Sequence, residues 1–389
     1  ALLSASAAHR WLQCTAAPRM EAKFPDTTSE FAKEGSLAHK IAELKLRSYA
    51  IEPISHATYT RRMNKLKKDE LYQSEMDGHT ETYLDYIKGI LLSYKVKPYV
   101  AAEKRVDFSQ YVPDGFGTAD CLIMAPKELH VIDFKYGKGV PVDAANNPQM
   151  RLYALGALSA YQFLYQFETV HMHIIQPRIN NFSQETLGIE QLTQWAESVV
   201  RPKAQEAYSE SAGQFHPGDW CRFCRAKAQC KARSEAYAAM AATAEEKHDP
   251  TMITMPELGE YLKKAKQLKE WAEDLQEYAL SQCLQGVHVP GWKAVEGRGS
   301  RTFTDTDAAF GKLMQNGIDE SVLYERVPLT LAKTEKAIGK KLFAELCGEF
   351  IEKKPGKPAL APESDKRPAL DLTPKAADVF KSIEQKGDN

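Results

Sequence analysis

Apolar positions recur at two different periods along the first part of the chain. Between residues 34 and 49 the apolar side chains are three to five positions apart, which predicts an amphipathic helix. A second helical pattern covers about residues 70–94. After Pro98 the pattern becomes short and rich in β-forming residues, which predicts three strands, over residues 99–107, 116–124 and 129–136.

Residues 146–208 alternate between helical and strand-like patterns. A helical pattern at about 146–163 is followed by an alternating segment at 170–176, which Pro177 ends. A further helical pattern covers about 189–208. The order of helix, three strands, helix, strand and helix predicts an α/β fold with a mixed central sheet flanked by helices.

The pattern of residue types changes twice after residue 208. Residues 236–350 read as a mainly helical accessory region, a candidate for binding DNA or a partner protein. Residues 351–389 contain five prolines between Pro355 and Pro374, which predicts a flexible, Pro-rich tail without a regular packed element. We therefore predict three regions, 1–235, 236–350 and 351–389.

Composition narrows the class of protein only partly. The 389 residues are 43% apolar and carry 51 basic against 52 acidic side chains, which excludes disorder of the whole chain. No apolar run reaches the roughly 18–20 residues that span a bilayer, and the first residues lack the pattern of a secretory signal. We expect a cytoplasmic protein without a membrane partner.

The net charge of −1 hides clusters of cations. Residues 61–68 carry five basic side chains, and residues 222–233 carry five more beside Trp220 and Phe223. Cations mixed with aromatic rings suit the phosphates and bases of a nucleic acid, although a solvated helix face is the usual explanation of any one run. A near-neutral chain is therefore compatible with DNA as a partner.

Acidic residues and a lysine occur at the ends of two predicted strands. Asp133 and Lys135 are two apart and project from the same face of a strand, and pairing through the turn near Pro126 places Asp120 beside them. Two carboxylates and a lysine suit Mg²⁺ or Mn²⁺ and phosphodiester chemistry. An isolated D-x-K also occurs by chance, but Asp133 ends a buried-looking strand, where an unpaired carboxylate is costly.

These residues resemble the RecB-like branch of the P-D-(D/E)-x-K nuclease superfamily. The resemblance rests on Gly117-Thr118-Ala119-Asp120 and Asp133-Phe134-Lys135, together with Gly35-x-x-x-His39 and Gln149-x-x-x-Tyr153. It implies a restriction-endonuclease-like core over residues 1–235. It also implies metal ligation by His39, Asp120 and Asp133, catalysis by Lys135 and the two acids, and Gln149 and Tyr153 beside the site.

Each of these residues also has an ordinary explanation. Gln149 and Tyr153 are four apart on one helical face, so a simple packing pair is an alternative. His39 alone would more often be a surface or capping histidine. Glu43 and Glu103 are candidate supporting acids, but solvated carboxylates are the more common outcome, and we leave both out of the predicted site.

Three of the seven cysteines are closely spaced as C-x₂-C-x₅-C, which suits one soft metal centre lacking a fourth ligand. The resemblance supplies that ligand, because a remote first cysteine is characteristic of RecB-like nucleases that carry a [4Fe–4S] cluster. It extends to CRISPR-adaptation nucleases and helicase–nuclease proteins. The implied ligands are Cys14, Cys221, Cys224 and Cys230. A four-cysteine Zn²⁺ site stays open, and a redox pair is disfavoured because no thioredoxin-like context surrounds it.

The function that follows is a metal-dependent DNA nuclease, expected to be an exonuclease acting on single- or double-stranded ends. Relatives of this type suggest phage DNA recombination or processing in a bacterial host. A recombinase, a single-strand-binding protein or a helicase is then a candidate partner. The main alternative is a non-catalytic DNA-binding or assembly protein that uses the fold and the metal cluster as a scaffold, and a zinc-stapled interaction protein is a weaker one.

Overall fold

The structure is a computed structural model. It describes residues 2–25, 30–138, 141–211, 213–242, 255–324, 329–362 and 370. The chain divides into two compact units, Ala1–Glu260 and Tyr261–Asn389. The predicted divisions at residues 235 and 350 remain predictions.

The first unit is built on a five-stranded mixed sheet. Its strands lie in the order in which they occur in the chain, and all neighbours are antiparallel except the parallel pair β3 and β4. They are β1 Tyr99–Asp107, β2 Phe116–Ala125, β3 Glu128–Phe134, β4 Thr169–Gln176 and β5 Asn181–Gly188. The predicted α/β fold with a mixed central sheet is confirmed. The edge strand β5 is additional, and its partly exposed, polar sequence explains why no strand is predicted there.

Helices cover both faces of this sheet. They are α1 Ala8–Trp11, α2 Ala17–Glu21, α3 Glu30–Leu46, α4 His56–Leu66, α5 Glu75–Ser93, α6 Pro148–Tyr161, α7 Ile189–Trp195, α8 Arg201–Tyr208 and α9 Lys231–Ala242. Helices α3 and α5 share one hydrophobic core with Ile132 and Phe134 of β3, and α6 shares the other with Leu129 and Val131. Strand β3 is therefore buried on both faces, as expected for a strand with a parallel neighbour.

The first turn of α6 is fixed by its capping residue. The Asn147 side chain accepts hydrogen bonds from the backbone N–H groups of Gln149 and Met150, and Pro148 occupies the first helical position, where its missing N–H costs nothing. This cap sets the place of Gln149, which lies opposite the end of β3.

From residue 255 onward the described chain is mainly helical, with one antiparallel pair of strands. Its elements are α10 Met255–Leu284, β6 Trp292–Phe303, α11 Thr306–Gln315, α12 Glu320–Leu323, α13 Leu331–Ile338, α14 Lys340–Cys347 and β7 Ile351–Pro362. A small core forms around Phe310, Leu313 and Phe343. In the described part of the chain, no helix combines the length and apolar content needed to cross a membrane.

Strand β7 differs from the tail predicted for residues 351–389. Prolines are tolerated there because each strand of a two-stranded ribbon keeps one free edge. The register with β6 shifts between Gly297 and Ser300, opposite the segment that contains Pro355. The rest of that tail, apart from residue 370, lies outside the described residues.

Candidate active site

The two predicted acids meet where β2 and β3 leave the core. The pairing of β2 with β3 ends at Cys121 and Ile132, and Asp120 and Asp133 are the next residues beyond that pair. The Asp120 Oδ2 atom accepts a hydrogen bond of 2.7 Å from the backbone N–H of Phe134. Asp120 is therefore anchored by the end of β3 itself.

Helix α3 brings His39 to the same point. Its Nδ1 atom lies 3.4 Å from Asp120 Oδ1 and 4.0 Å from Glu103 Oε1. The ligand atoms of these three residues all lie within 4.8 Å of one another. The His39 ring also packs against Phe134, with centroids 5.3 Å apart. One imidazole and two carboxylates thus face a common point.

Lys135 forms a second group of contacts beside the first. Its Nζ atom lies 2.9 Å from Asp133 Oδ2 and donates a hydrogen bond of 3.2 Å to Gln149 Oε1. The Gln149 amide donates to Tyr153 Oη at 3.0 Å and to Asp133 Oδ1 at 3.4 Å. The structure therefore brings all six residues of the predicted nuclease site together, while their roles remain predictions.

The ring of Tyr153 fits against a glycine of β2. A Cβ atom added at Gly117 would lie 2.5 Å from Tyr153 Cε1, closer than real Cβ contacts allow. Tyr153 is itself buried, and burial raises its pKa to about 12. The absence of a side chain at residue 117 is what lets the tyrosine lie beside the carboxylates.

The carboxylates give the site an excess of negative charge. Burial raises the pKa of Asp133, and burial together with Asp120 raises the pKa of Glu103 to about 7. Burial opposes protonation of His39, but the carboxylates outweigh it and raise its pKa to about 9. Lys135 and Arg47 compensate the acids only in part, so Glu103 and His39 tend to hold protons. An environment of this kind fits a divalent metal ion.

The charge of Lys135 follows from the same surroundings. Burial would lower its pKa, but Asp133 outweighs burial and raises it. Lys135 is therefore a protonated cation near neutral pH.

Glu103 is the contacting residue that sequence reasoning leaves out. In β1 it lies between Ala102 and Lys104, whose partners Cys121 and Ala119 flank Asp120. Only the register of β1 against β2, which the structure provides, identifies Glu103 as a neighbour of Asp120. Its backbone has φ of +48°, a strained value for a residue with a side chain.

Glu43, the other candidate acid, has a different partner. It pairs with Arg47 at 2.6 Å, and Arg47 also donates to the Ala102 carbonyl at 3.1 Å. This pair ties α3 to β1 next to Glu103. Glu43 is therefore held by Arg47 and lies close enough to Glu103 to raise the pKa of that carboxyl group.

The four predicted cysteine ligands line one small cavity. Cys14 follows α1, and the other three lie in and after the 3₁₀ segment Asp219–Phe223. Backbone N–H groups donate hydrogen bonds to several of the sulfurs. The N–H group of Gly218, for example, donates to Cys221 Sγ at 3.4 Å. Two segments about two hundred residues apart in sequence are thus brought together at the thiols.

A larger cavity of about 470 Å³ connects the two sites. Its lining includes Lys135 and Gln149 on one side and Trp220 and Phe223 of the cysteine segment on the other. The Phe223 ring is 63% exposed, and the Arg222 guanidinium lies over it at 5.6 Å. An exposed ring with a neighbouring cation thus lines the same cavity as Lys135.

The other basic run lies on α4. Arg61, Lys65 and Lys68 are exposed and line a shallow depression of about 620 Å³ on the surface. Met63, on the opposite face of the helix, belongs to the core that α3 shares. The same helix therefore buries one side against the elements of the site and presents cations on the other.

Fold and site together define the class: a mixed α/β protein with a carboxylate-rich site at the end of a central strand. The chain belongs to the DUF2800 family, described as a protein of unknown function, which matches residues 1–368. Two solved structures are similar to parts of the chain. The LHK-Exo crystal structure in complex with dAMP is 12% identical with a TM-score of 0.23, and the match covers 44% of this chain and 86% of that chain. The SSO0001 crystal structure is 14% identical with a TM-score of 0.21, over 58% and 96%.

Proposed function

We propose that the protein is a metal-dependent DNA nuclease. The observation that carries the proposal is the convergence of His39, Glu103 and Asp120 within 4.8 Å, directly beside the buried Asp133–Lys135 pair. Three acids, one imidazole and one protonated lysine are the elements that phosphodiester hydrolysis requires, because negative charge builds up on phosphate oxygens in the transition state.

The residues fit Mg²⁺ or Mn²⁺ by the chemistry of their ligand atoms. His39, Asp120 and Asp133 would hold the ion, with Glu103 as a further oxygen ligand. A bound ion supplies Lewis-acid polarisation of the phosphate and a water of lowered pKa. Lys135 remains a cation, which stabilises negative charge on the phosphate. Gln149 positions its ammonium group, and Tyr153 holds the Gln149 amide in place.

DNA is the substrate that the surfaces around the site favour. The exposed Phe223 ring lines the cavity beside Lys135, and the Arg222 guanidinium lies next to that ring. An aromatic ring and a cation together can stack bases and bind phosphates. Helix α4 adds exposed cations on the same unit. Action at DNA ends, a role in phage recombination, the named protein partners and a cytoplasmic location extend this proposal and rest on the family resemblance.

We further propose that the cysteines hold a [4Fe–4S] cluster. The four thiols come from two distant segments and line one cavity, which gives a soft metal centre the four ligands it needs. The choice of iron–sulfur over Zn²⁺ rests on the family resemblance. Such a centre would close a loop of about two hundred residues and stabilise the unit.

Anaerobically purified protein tests the nature of the centre. We expect about four iron atoms per chain and a broad visible absorption band, both lost in Cys224→Ser. Cys283→Ser, at a half-buried thiol in α10, is the matched control and should keep the iron. Stoichiometric zinc without iron would establish the Zn²⁺ alternative instead.

Cleavage of end-labelled single- and double-stranded DNA with Mg²⁺ or Mn²⁺ tests the nuclease. Asp133→Asn and Lys135→Ala should each lower the rate by at least about 10²–10³-fold, because each removes charge aimed at the reacting phosphate. The matched controls are Asp85→Asn and Lys88→Ala, which break a comparable ion pair on the exposed face of α5 and should leave the rate unchanged.

A different result would favour the non-catalytic alternative. If wild-type protein binds DNA but cleaves neither substrate faster than the Asp133 and Lys135 variants, the nuclease proposal is wrong. The fold would then serve as a DNA-binding scaffold.

A further inference from the structure

A group of histidines lies at the opposite end of β3 from the candidate active site. Glu128 and His130 are two apart in β3 and so project from one face, and the parallel register places His171 of β4 directly beside His130. The two rings are stacked, with centroids 4.7 Å apart and planes 19° apart. Nothing in the proposed nuclease chemistry uses these residues.

We propose that Glu128, His130 and His171 form a second metal site, which binds a divalent transition-metal ion such as Zn²⁺. One ligand atom from each residue lies within 4.8 Å of the other two. Two imidazoles and one carboxylate are a common Zn²⁺ ligand set, which leaves a fourth position for water. The site is reached from solvent because the Glu128 and His171 side chains are 39% and 18% exposed.

The orientation of His171 supports a ligand role. Its Nδ1 atom lies 2.9 Å from the Thr186 hydroxyl, which fixes the ring. Its Nε2 atom is buried, has no hydrogen-bond partner and faces Glu128 Oε1 at 3.8 Å. A buried nitrogen without a partner is costly, and a metal ion between it and the carboxylate would remove that cost.

The remaining contacts of Glu128 and His130 leave room for the ion. The Tyr94 hydroxyl donates to Glu128 Oε2, so Oε1 remains available. His130 Nδ1 lies 3.0 Å from His173 Nε2, and His173 Nδ1 lies 3.0 Å from the Tyr86 hydroxyl. Each proposed histidine ligand is thus held through the ring nitrogen that does not face the ion, as is typical of zinc sites.

Proton positions are consistent both with and without the ion. Without it, His130 Nε2–H can donate to the Tyr94 oxygen 2.7 Å away, and His173 Nε2–H can donate to His130. With it, His130 carries its proton on Nδ1 and donates to His173, which in turn donates to Tyr86. His173 and the Nδ1 atom of His130 keep partners in both states. Metal binding therefore requires tautomer changes and replaces the hydrogen bond between His130 Nε2 and Tyr94 with the bond to the ion.

Zn²⁺ titration of the full chain in excess Mg²⁺ tests the site by counting bound ions. Wild-type protein should bind one Zn²⁺ per chain more than Glu128→Gln or His171→Asn. Any Zn²⁺ bound at the cysteines or near His39 is counted equally in wild type and variants, because all of them keep those residues. It therefore does not affect the difference in bound ions. His56→Asn, at an exposed position at the start of α4, is the matched control and should bind as many ions as wild type.

Two further measurements keep the result interpretable. His173→Gln should weaken Zn²⁺ binding by about 10–100-fold without removing the site, since His173 acts through His130. Zn²⁺ should also raise the thermal midpoint of wild type more than that of Glu128→Gln, a part-exposed position that folds even if His171→Asn does not. Equal ion counts in wild type and both ligand variants would overturn the proposal and leave a metal-free hydrogen-bonded chain.

Discussion

The two ends of β3 carry the same kinds of side chain but differ in charge. At the end near Asp133, the carboxylates facing His39 outweigh burial and raise its pKa to about 9. At the end near Glu128, burial and the neighbouring imidazoles lower the pKa of His130 to about 4 and that of His173 to about 3. A buried histidine next to this strand is therefore charged or neutral according to how many carboxylates face it.

This difference suits the two ends to different ions. The carboxylate-rich end offers mainly charged oxygens, which hard ions such as Mg²⁺ and Mn²⁺ prefer. The histidine-rich end offers neutral imidazole nitrogens, which suit Zn²⁺ and related ions. One strand thus contributes residues to both proposed metal sites, one at each of its ends.

The largest effect is expected when one acid at each end of β3 is replaced by an amide, because each replacement should remove ion binding at its own end only. Asp120→Asn should lower Mn²⁺ affinity by more than about 100-fold, because even the loss of a residue outside the ligand set costs about 10–100-fold. It should leave the Zn²⁺ count at the other end unchanged, and Glu128→Gln should do the reverse. Calorimetric titration with each ion measures both effects.

The control for these two variants is a measurement of their stability. Thermal midpoints without added metal show whether either variant is damaged. Loss of both ions in Asp120→Asn, with a normal midpoint, would mean that the two ends do not bind independently.

A second prediction concerns packing at the acidic end. Gly117→Ala should lower the free energy of unfolding by about 1–3 kcal/mol, because the new Cβ overlaps the buried Tyr153 ring. It should also lower the cleavage rate, since Tyr153 holds Gln149 and through it Lys135. Urea denaturation and initial rates measure the two effects.

Gly89→Ala is the matched control for this change. Gly89 lies in α5, where an added Cβ meets nothing within 4 Å. Alanine should raise stability there by up to about 1 kcal/mol, because glycine is the poorer helix former. If the two substitutions had the same effect, the contact between Gly117 and Tyr153 would have no energetic consequence.

The two ends of β3 also differ in how far the sequence predicts them. Asp120, Asp133 and Lys135 could be placed together because strand alternation and a short turn are local properties. Glu103 could not, because its position depends on the register of β1 against β2 and on a strained backbone. The contact of His39 with Asp120 followed only from the family resemblance, since α3 is far from β2 in sequence.

The histidine-rich end is harder still to predict. His130 and His171 are neighbours because β3 pairs in parallel with β4 across the intervening helix α6. Tyr94, the residue after α5, then contacts His130, and Tyr86 of α5 contacts His173. No pattern within one segment contains this group, so it could be recognised only from the pairing of the sheet.

The smallest effect is expected for a variant that shortens the chain of hydrogen bonds at the histidine-rich end of β3. Tyr86→Phe removes the partner of His173 Nδ1 and should lower the free energy of unfolding by about 1 kcal/mol. Tyr49→Phe, at an exposed ring, should change it by less than about 0.5 kcal/mol. Urea denaturation of metal-free protein measures both. A Tyr86 variant as stable as the Tyr49 variant would show that the chain ends at His173, and Zn²⁺ binding would then not depend on α5.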